Sequence, residues 1–253
     1  MQSLYTAASG LSAQQTRLDT ISANIANVNT PGYKSTRTDF KDALYTTMID
    51  PVLADSAANN LLAGSGVLLG ATNINMSEGT VSQTDLPLDF AIQGGGFFQV
   101  QADNGEILYT RSGAFNATII DGGNYLVTPE GYFVLDADGN RITLPDNISS
   151  AQVSADGTIT ADGQSYGAIG LVSFQNPNGL SPAGNSCFRV TANSGQPVQD
   201  LTSGVTQGSL ERSNVDLSEE LTLLIRAQRA YSMASRALTT TDDMMGLADT
   251  MHS

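Results

Sequence analysis

Few residues in this 253-residue chain have the types and spacing that catalysis or ligand binding would need. Asp136, Asp138 and Asn140 show the one-three-five spacing that opens a calcium loop, in which carboxylate and amide oxygens ring the ion. The sixth position is Arg141 where such a loop needs Gly, and the twelfth is Asn147 where it needs Glu, so an Asp-Gly hairpin is the better account. Gly94-Gly95-Gly96 could cradle a phosphate on backbone amides, but the strand-like Phe97-Phe98-Gln99-Val100 follows where a helix start should stand. A tight turn or bulge is expected there.

Nucleophiles and proton carriers are equally sparse. Cys187 has no histidine to activate it and reads as a small apolar strand residue. The single histidine, His252, stands one residue from the end and cannot anchor a triad. Lys34 and Lys41 are the only lysines, so a Ser-Lys pair would have to use one of them. Carboxylates are plentiful, but they arise mainly from Asp-Gly turns and no pair stands out. The expectation is a protein that is not an enzyme and has no catalytic, cofactor-binding or metal residues.

The elements that organise the chain are at its ends. Leu217, Leu224, Tyr231, Leu238 and Met245 recur every seven residues, with Leu221, Ile225, Ala227 and Ala234 on the same flank. That spacing predicts a helix over Leu217 to Met251 carrying an apolar seam for another helix. Asp216 is placed to cap it, with Glu219 reaching back in a capping box. At the other end Leu4, Leu11, Leu18 and Ile25 step by seven, with Ala7, Gln14, Ile21 and Val28 as a second row. A first helix is predicted from about Ser3 to Asn27, stopped by Asn27-Val28-Asn29-Thr30-Pro31-Gly32. A further helical piece is expected at Asp39 to Ile49, ended by Pro51.

Residues 49–80 read as an extended connector, with a strand from Val67 to Met76. From there the texture is short apolar alternation broken by Asp103-Asn104-Gly105, Asp121-Gly122-Gly123, Glu130-Gly131, Asp138-Gly139-Asn140, Asp156-Gly157 and Asp162-Gly163. These are hairpin signals. The fold class is therefore α+β: an all-β central domain of short antiparallel strands over 81–210, and long terminal helices, in segments 1–48 and 211–253, that pair as a coiled coil.

Charge separates the same parts. The net charge is −14. Residues 1–48 carry about +1 and 209–253 about −3, leaving about −12 for the middle. The middle is the solvated face, and the ends are the parts able to approach copies of themselves. So acidic a surface would repel nucleic acid and anionic lipid. No run approaches eighteen apolar residues, so membrane insertion is not expected, and the amino terminus lacks the pattern of a cleavable signal peptide. One cysteine rules out an internal disulfide. An isolated pair of terminal helices recovers little beyond the entropy of ordering it, so the ends are expected to order fully only when several copies pack together. Seam residues Leu4, Leu11, Leu18, Ile21, Ile25, Leu217, Leu221, Leu224, Tyr231, Leu238 and Met245 are the candidate assembly interface.

Longer motifs carry a resemblance. Ser9-Gly10-Leu11, Ala26-Asn27-Val28-Asn29-Thr30-Pro31-Gly32-Tyr33-Lys34, Phe90-Ala91-Ile92 with Gly94, Gly96, Phe97 and Phe98, Tyr109-Thr110-Arg111-Ser112-Gly113-Ala114-Phe115, Ser213-Asn214-Val215-Asp216 and Ala227-Gln228-Arg229-Ala230-Tyr231 stand in order along nearly the whole chain. Together they resemble the bacterial flagellar basal-body rod and hook proteins. Length and the Ser82-Gln83-Thr84 approach bring the chain nearest the distal-rod branch, with the proximal-rod branch as its rival. The chain departs from the family at Ser232-Met233-Ala234, where a Glu and an Asn are common. The resemblance implies a homo-oligomer in a helical tube that transmits torque from motor to hook and crosses the periplasm in the basal body. It implies export through the flagellum's own apparatus without a cleaved signal, and contact with other rod and hook proteins and surrounding ring proteins. Two other readings remain open: a secreted β-domain that binds a ligand or hydrolyses cell-wall polymer, and an adaptor between rod and hook.

Overall fold

A computed structural model describes residues 2–47, 62–120, 122–145, 151–161 and 163–252. The chain divides into two compact units, one of Met1–Ala26, Thr36–Ile74 and Asp216–Ser253, the other of Asn27–Ser35 and Asn75–Val215.

The first unit holds both helices, α1 (Gln2–Ala26) and α2 (Leu217–His252), and four strands, β1 (Thr36–Asp42), β2 (Tyr45–Thr47), β3 (Leu62–Gly64) and β4 (Val67–Ile74). Asp216 caps α2 as expected, its Oδ1 accepting from the Ser218 amide at 2.8 Å and the Glu219 amide at 3.2 Å. The return bond from the Asp216 amide to the Glu219 carboxylate is absent among the described residues, while the Asp216 carbonyl accepts the first helical bond, from the Glu220 amide at 3.0 Å. β1 pairs antiparallel with β4 from Thr36↔Ile74 to Asp42↔Val67, with a bulge at Asp39/Phe40, and β2 pairs with β3.

This corrects the helical piece expected at 39–49. Phe40, Ala43 and Leu44 fit a three-four spacing, but Thr36, Thr38 and Phe40 alternate along the same backbone. Pairing with β4 decides for the strand, because a β-branched stretch with a ladder partner has little to gain from a helix. Met48, and residues 49–61 of the expected 49–80 connector, lie outside the described residues. Close to α1, Gly66 turns the chain from β3 to β4 at φ +113, where a Cβ would come 2.2 Å from Ser9 Oγ. The same hydroxyl accepts from the Val67 amide at 3.2 Å and donates to the Thr6 carbonyl, so only glycine fits the approach.

The second unit is built from seventeen described strands: β5 (Val81–Gln83), β6 (Phe90–Gln93), β7 (Phe97–Gln101), β8 (Ile107–Thr110), β9 (Asn116–Ile120), β10 (Gly123–Val127), β11 (Phe133–Val134), β12 (Thr143–Leu144), β13 (Gln152–Val153), β14 (Thr158–Ala161), β15 (Gln164–Ala168), β16 (Leu171–Ser173), β17 (Ser181–Gly184), β18 (Cys187–Arg189), β19 (Val198–Gln199), β20 (Gly204–Gln207) and β21 (Ser209–Glu211). The main sheet runs β12-β10-β11-β7-β8-β18-β17, with β9 on β10, β16 on β7 and β19 on β16, every pairing antiparallel. Smaller sheets are β13-β14-β15, β20-β6 and β21-β5.

The expected turns fall between paired strands. Asp103-Asn104-Gly105 joins β7 to β8, with Gly105 at φ +82, and Gly163, at φ +79, stands between the paired strands β14 and β15. The core gathers Phe90, Ile92, Phe98, Val100, Leu108, Phe115, Leu126, Val134, Ile142, Ile159, Leu171 and Val205. Phe98 meets Phe115 edge-on at 5.2 Å, which fixes β7 against the segment after β8.

Candidate assembly surface and buried junction

The stretches first weighed for chemistry resolve into turns and core. Asp136 Oδ1 accepts from the Asp138 and Asn140 amides at 2.9 and 2.8 Å, so its carboxylate closes a local turn. Gly94 turns at φ +119 between β6 and β7, and the Gly96 amide donates to Ser203 Oγ at 3.1 Å. Cys187 is buried in β18, and burial, helped by the nearby Glu130 charge, pushes its thiol up to about 11. Among the described residues no cluster of three His, Cys, Asp or Glu side chains could hold a metal ion, and no helix is long and apolar enough to cross a membrane.

The two helices pack against each other within their unit. Asn24, near the end of α1, donates its amide to Glu220 Oε1 at 2.8 Å, near the start of α2. Because this bond joins the end of α1 to the start of α2, the two packed helices run antiparallel. The same Asn24 amide donates to the Thr36 carbonyl, and its oxygen accepts from the Thr36 amide, stapling the end of α1 to the start of β1. Burial lifts the Glu220 carboxyl above its ordinary range, against the pull of Asn24.

On α1, Leu4, Leu11, Leu18 and Ile25 are half-buried and Ile21 is 5% exposed; Ala7 and Gln14 are half-buried, while Val28 falls beyond the helix end. On α2 the covered row is Leu224, Ala227, Tyr231, Ala234 and Leu238, centred on Ala227 at 2% exposed. Leu217, Leu221 and Ile225 are 43%, 44% and 53% exposed, and Met245 is exposed too. The single seam read from the sequence is thus two rows, one covered and one open.

The reason is geometric. At about 100° per residue, Leu221 and Ile225 stand roughly 60° and 100° round the helix from Leu224, and roughly 80° and 120° from Tyr231, so they cannot share a narrow contact line with that pair. Length explains Met245: α2 has 36 residues and α1 has 25. Counting outward from the Asn24–Glu220 contact, α1 runs out near Asp242. Beyond that point Met244, Met245, Leu247 and Met251 stand exposed.

The second unit contains a buried ionic junction. Lys34 Nζ donates to Glu211 Oε1 at 2.6 Å and to the Ser77 carbonyl at 2.6 Å. Arg111 NH1 donates to Glu211 Oε2 at 3.2 Å and NH2 to the Gly94 carbonyl at 2.7 Å, and the guanidinium lies 5.1 Å from the centre of the Phe97 ring. All three charged side chains are no more than 2% exposed. Burial presses the Lys34 ammonium below its ordinary value while Glu211 pulls it back up. Three residues on, Asn214 accepts from the Ser35 amide at 2.8 Å and donates to the Asn75 and Ser77 carbonyls. Gly32 comes so close to the Arg111–Ser112 peptide that a Cβ would lie 2.3 Å from the Ser112 amide nitrogen.

Sequence reasoning did not assemble this junction. Its one signal was that Lys34, Arg111 and Asn214 lie in three of the motifs quoted above, while Glu211 lies outside them all. Those motifs therefore converge on one buried site as well as marking a lineage.

Comparison with known proteins fits this layout. Residues 4–34 match the family described as flagella basal body rod protein, 91–161 the flagellar hook FlgE/F/G D1 domain, and 206–251 the C-terminal region of the flagellar basal body rod FlgEFG proteins. The flagellar basal-body rod protein FlgG of Borreliella burgdorferi is 36% identical over 99% of this chain and 98% of its own. This chain belongs to the flagellar basal-body rod family. FlgG of Caulobacter vibrioides is 38% identical over the full length of both chains, and FlgG of Agrobacterium fabrum 39% over 98% of each. A hook-basal body complex protein, FlhP of Bacillus subtilis, is 34% identical over 99% of each chain. The family is a structural one, and within it this chain is FlgG-like.

Proposed function

We propose that this protein is a distal-rod subunit that stacks head to tail into a helical tube, a drive shaft transmitting torque from motor to hook without catalysis or cofactor. The observation that carries the reading is the open row of α2. Leu217, Leu221 and Ile225, with the methionine-rich overhang past Asp242, form an apolar surface along a helix whose other side is already covered by its own chain. A row that its own chain leaves uncovered, repeated on every copy, suits a contact that does not close on itself, and such contacts build open helices.

In this reading α1 and α2 form a coiled coil through Leu4, Leu11, Leu18, Ile21, Ile25, Leu224, Tyr231 and Leu238, while Leu217, Leu221 and Met245 reach sister copies. Segments 1–48 and 211–253 make the inner layer, 49–80 connects, and the β domain over 81–210 carries the acidic surface outward. The other partners are the neighbouring rod and hook proteins, the surrounding rings and the export apparatus, and the subunit reaches the basal body without a cleaved signal.

The test replaces Leu221 and Ile225 by Asp in a motile strain and examines basal bodies by electron microscopy. The expected result is loss of motility with rods that stop short; normal rods would overturn the proposal.

A further inference from the structure

We propose that Glu211 is the shared anion of a charge-gated latch: residues 27–35 dock on the β-rich unit only when strand β21 has brought Glu211 between Lys34 and Arg111, so that both chain ends are secured in one step.

Each cation holds its own oxygen of one carboxylate, and its other partner is a neutral carbonyl, Ser77 for Lys34 and Gly94 for Arg111. Besides Glu211, the charges acting on Lys34 are Glu78, which favours its ammonium, and Arg111, which opposes it. Take Glu211 away, and two cations stripped of water face each other, each hydrogen-bonded only to a carbonyl, with Glu78 the one other acidic charge acting on Lys34. Breaking a buried pair from one side is strongly unfavourable, because the survivor keeps its desolvation cost and loses its compensation. Here two survivors are left, and they repel.

Backbone bonds run to the same stretch. The Gly32 amide donates to the Glu211 carbonyl at 2.9 Å, and the Ser35 amide donates to the Asn214 side chain. On the other side the Gly79 amide donates to Glu211 Oε1 at 2.8 Å and the Arg212 amide to the Thr80 carbonyl at 2.9 Å. Residues 211–214 therefore bind both 32–35 and 75–80. A Cβ on Gly79 would lie 1.9 Å from the Arg212 carbonyl oxygen, so only glycine allows this close approach. In the chain, 27–35 directly follows α1 and 211–215 directly precedes α2, so the latch fixes the roots of both helices. Its biological purpose rests on the rod-subunit reading; its physical operation does not.

The test uses the full-length monomeric chain and hydrogen exchange read by mass spectrometry. In refolding from denaturant with pulse labelling, peptides covering 27–35 and 209–215 are expected to gain protection in one phase. Protection of 27–35 in an earlier phase would overturn the proposal. In native-state exchange, Glu211→Gln is expected to speed exchange in 27–35 and 75–79 on the order of 100-fold or more. Adding Lys34→Met to Glu211→Gln should slow it again, since one of the repelling cations is gone. Unchanged exchange in the single variant, or further loss in the double, would refute the latch. Where Glu211→Gln does not fold, recovery of the native exchange pattern of β7 and β8 in the double variant supports the latch, and its failure to fold counts against it. Motility enters none of these readouts, so the rod reading and the latch stand or fall separately.

Discussion

Replacing Leu221 and Ile225 by Asp tests the open row of α2 most directly. The two side chains are 44% and 53% exposed, so about half of each is open to a sister copy in the proposed assembly. Full burial of such a side chain contributes roughly 1.5–3 kcal/mol, so the open halves of the two together contribute roughly 1.5–3 kcal/mol. That is about 10- to 150-fold in an association constant. Two buried aspartates add desolvation and mutual repulsion, so the critical concentration for polymerisation should rise on the order of 100-fold or more. The lone chain should lose the difference in helix propensity and the cover it already gives the other half of each side chain, roughly 2–3 kcal/mol for both sites, while staying folded. Sedimentation of the purified chain across a concentration series measures the first quantity, and thermal unfolding the second. Leu224 is a poorer choice, because it is half-buried in the covered row and an aspartate there disturbs the monomer as well. Polymerisation of the double variant at the wild-type critical concentration would refute the assignment of the open row.

Gly66→Ala should destabilise the helical unit by about 1–3 kcal/mol in thermal unfolding, and adding Ser9→Ala should recover part of that by removing the clashing hydroxyl. Burial raises the Asp200 carboxyl, but hydroxyl and amide bonds from Ser203 and Thr202 outweigh it and bring it down to about 2. A depressed folded value means that this contribution is present above about 3.9 and is lost as pH falls toward 2. Denaturant titrations of Asp200→Asn should therefore show a flatter pH dependence between about 4 and 2 than the parent. Cys187, buried and with its thiol near 11, should alkylate at neutral pH roughly 100-fold more slowly than a free thiol and catch up in denaturant.

Much of this architecture was legible because it is local. The ends of α1 and α2 are written in Asp216 and in the Asn-Pro-Gly run after Ala26, and the hairpins in Asp-Gly pairs whose φ only a few residues tolerate. What escaped was set by partners far along the chain. Whether 36–47 becomes strand or helix depends on β4, and the Phe40, Ala43 and Leu44 spacing is neutral between the two. Which α2 residues are covered depends on where α1 ends, a fact held some two hundred positions away. Lys34 and Glu211 are separated by 177 positions and Arg111 and Glu211 by 100, so no window on the sequence contains their junction.

The mismatch between the helices has a consequence for how such a subunit lives alone. With 36 residues against 25, the longer helix reaches past the end of its mate, and among the described residues no second stretch of helix roofs the remainder. Every molecule added to an array would shelter its predecessor's bare tip while exposing one of its own. Incompleteness would be handed forward from copy to copy, and growth would end only when a different protein accepts the last tip.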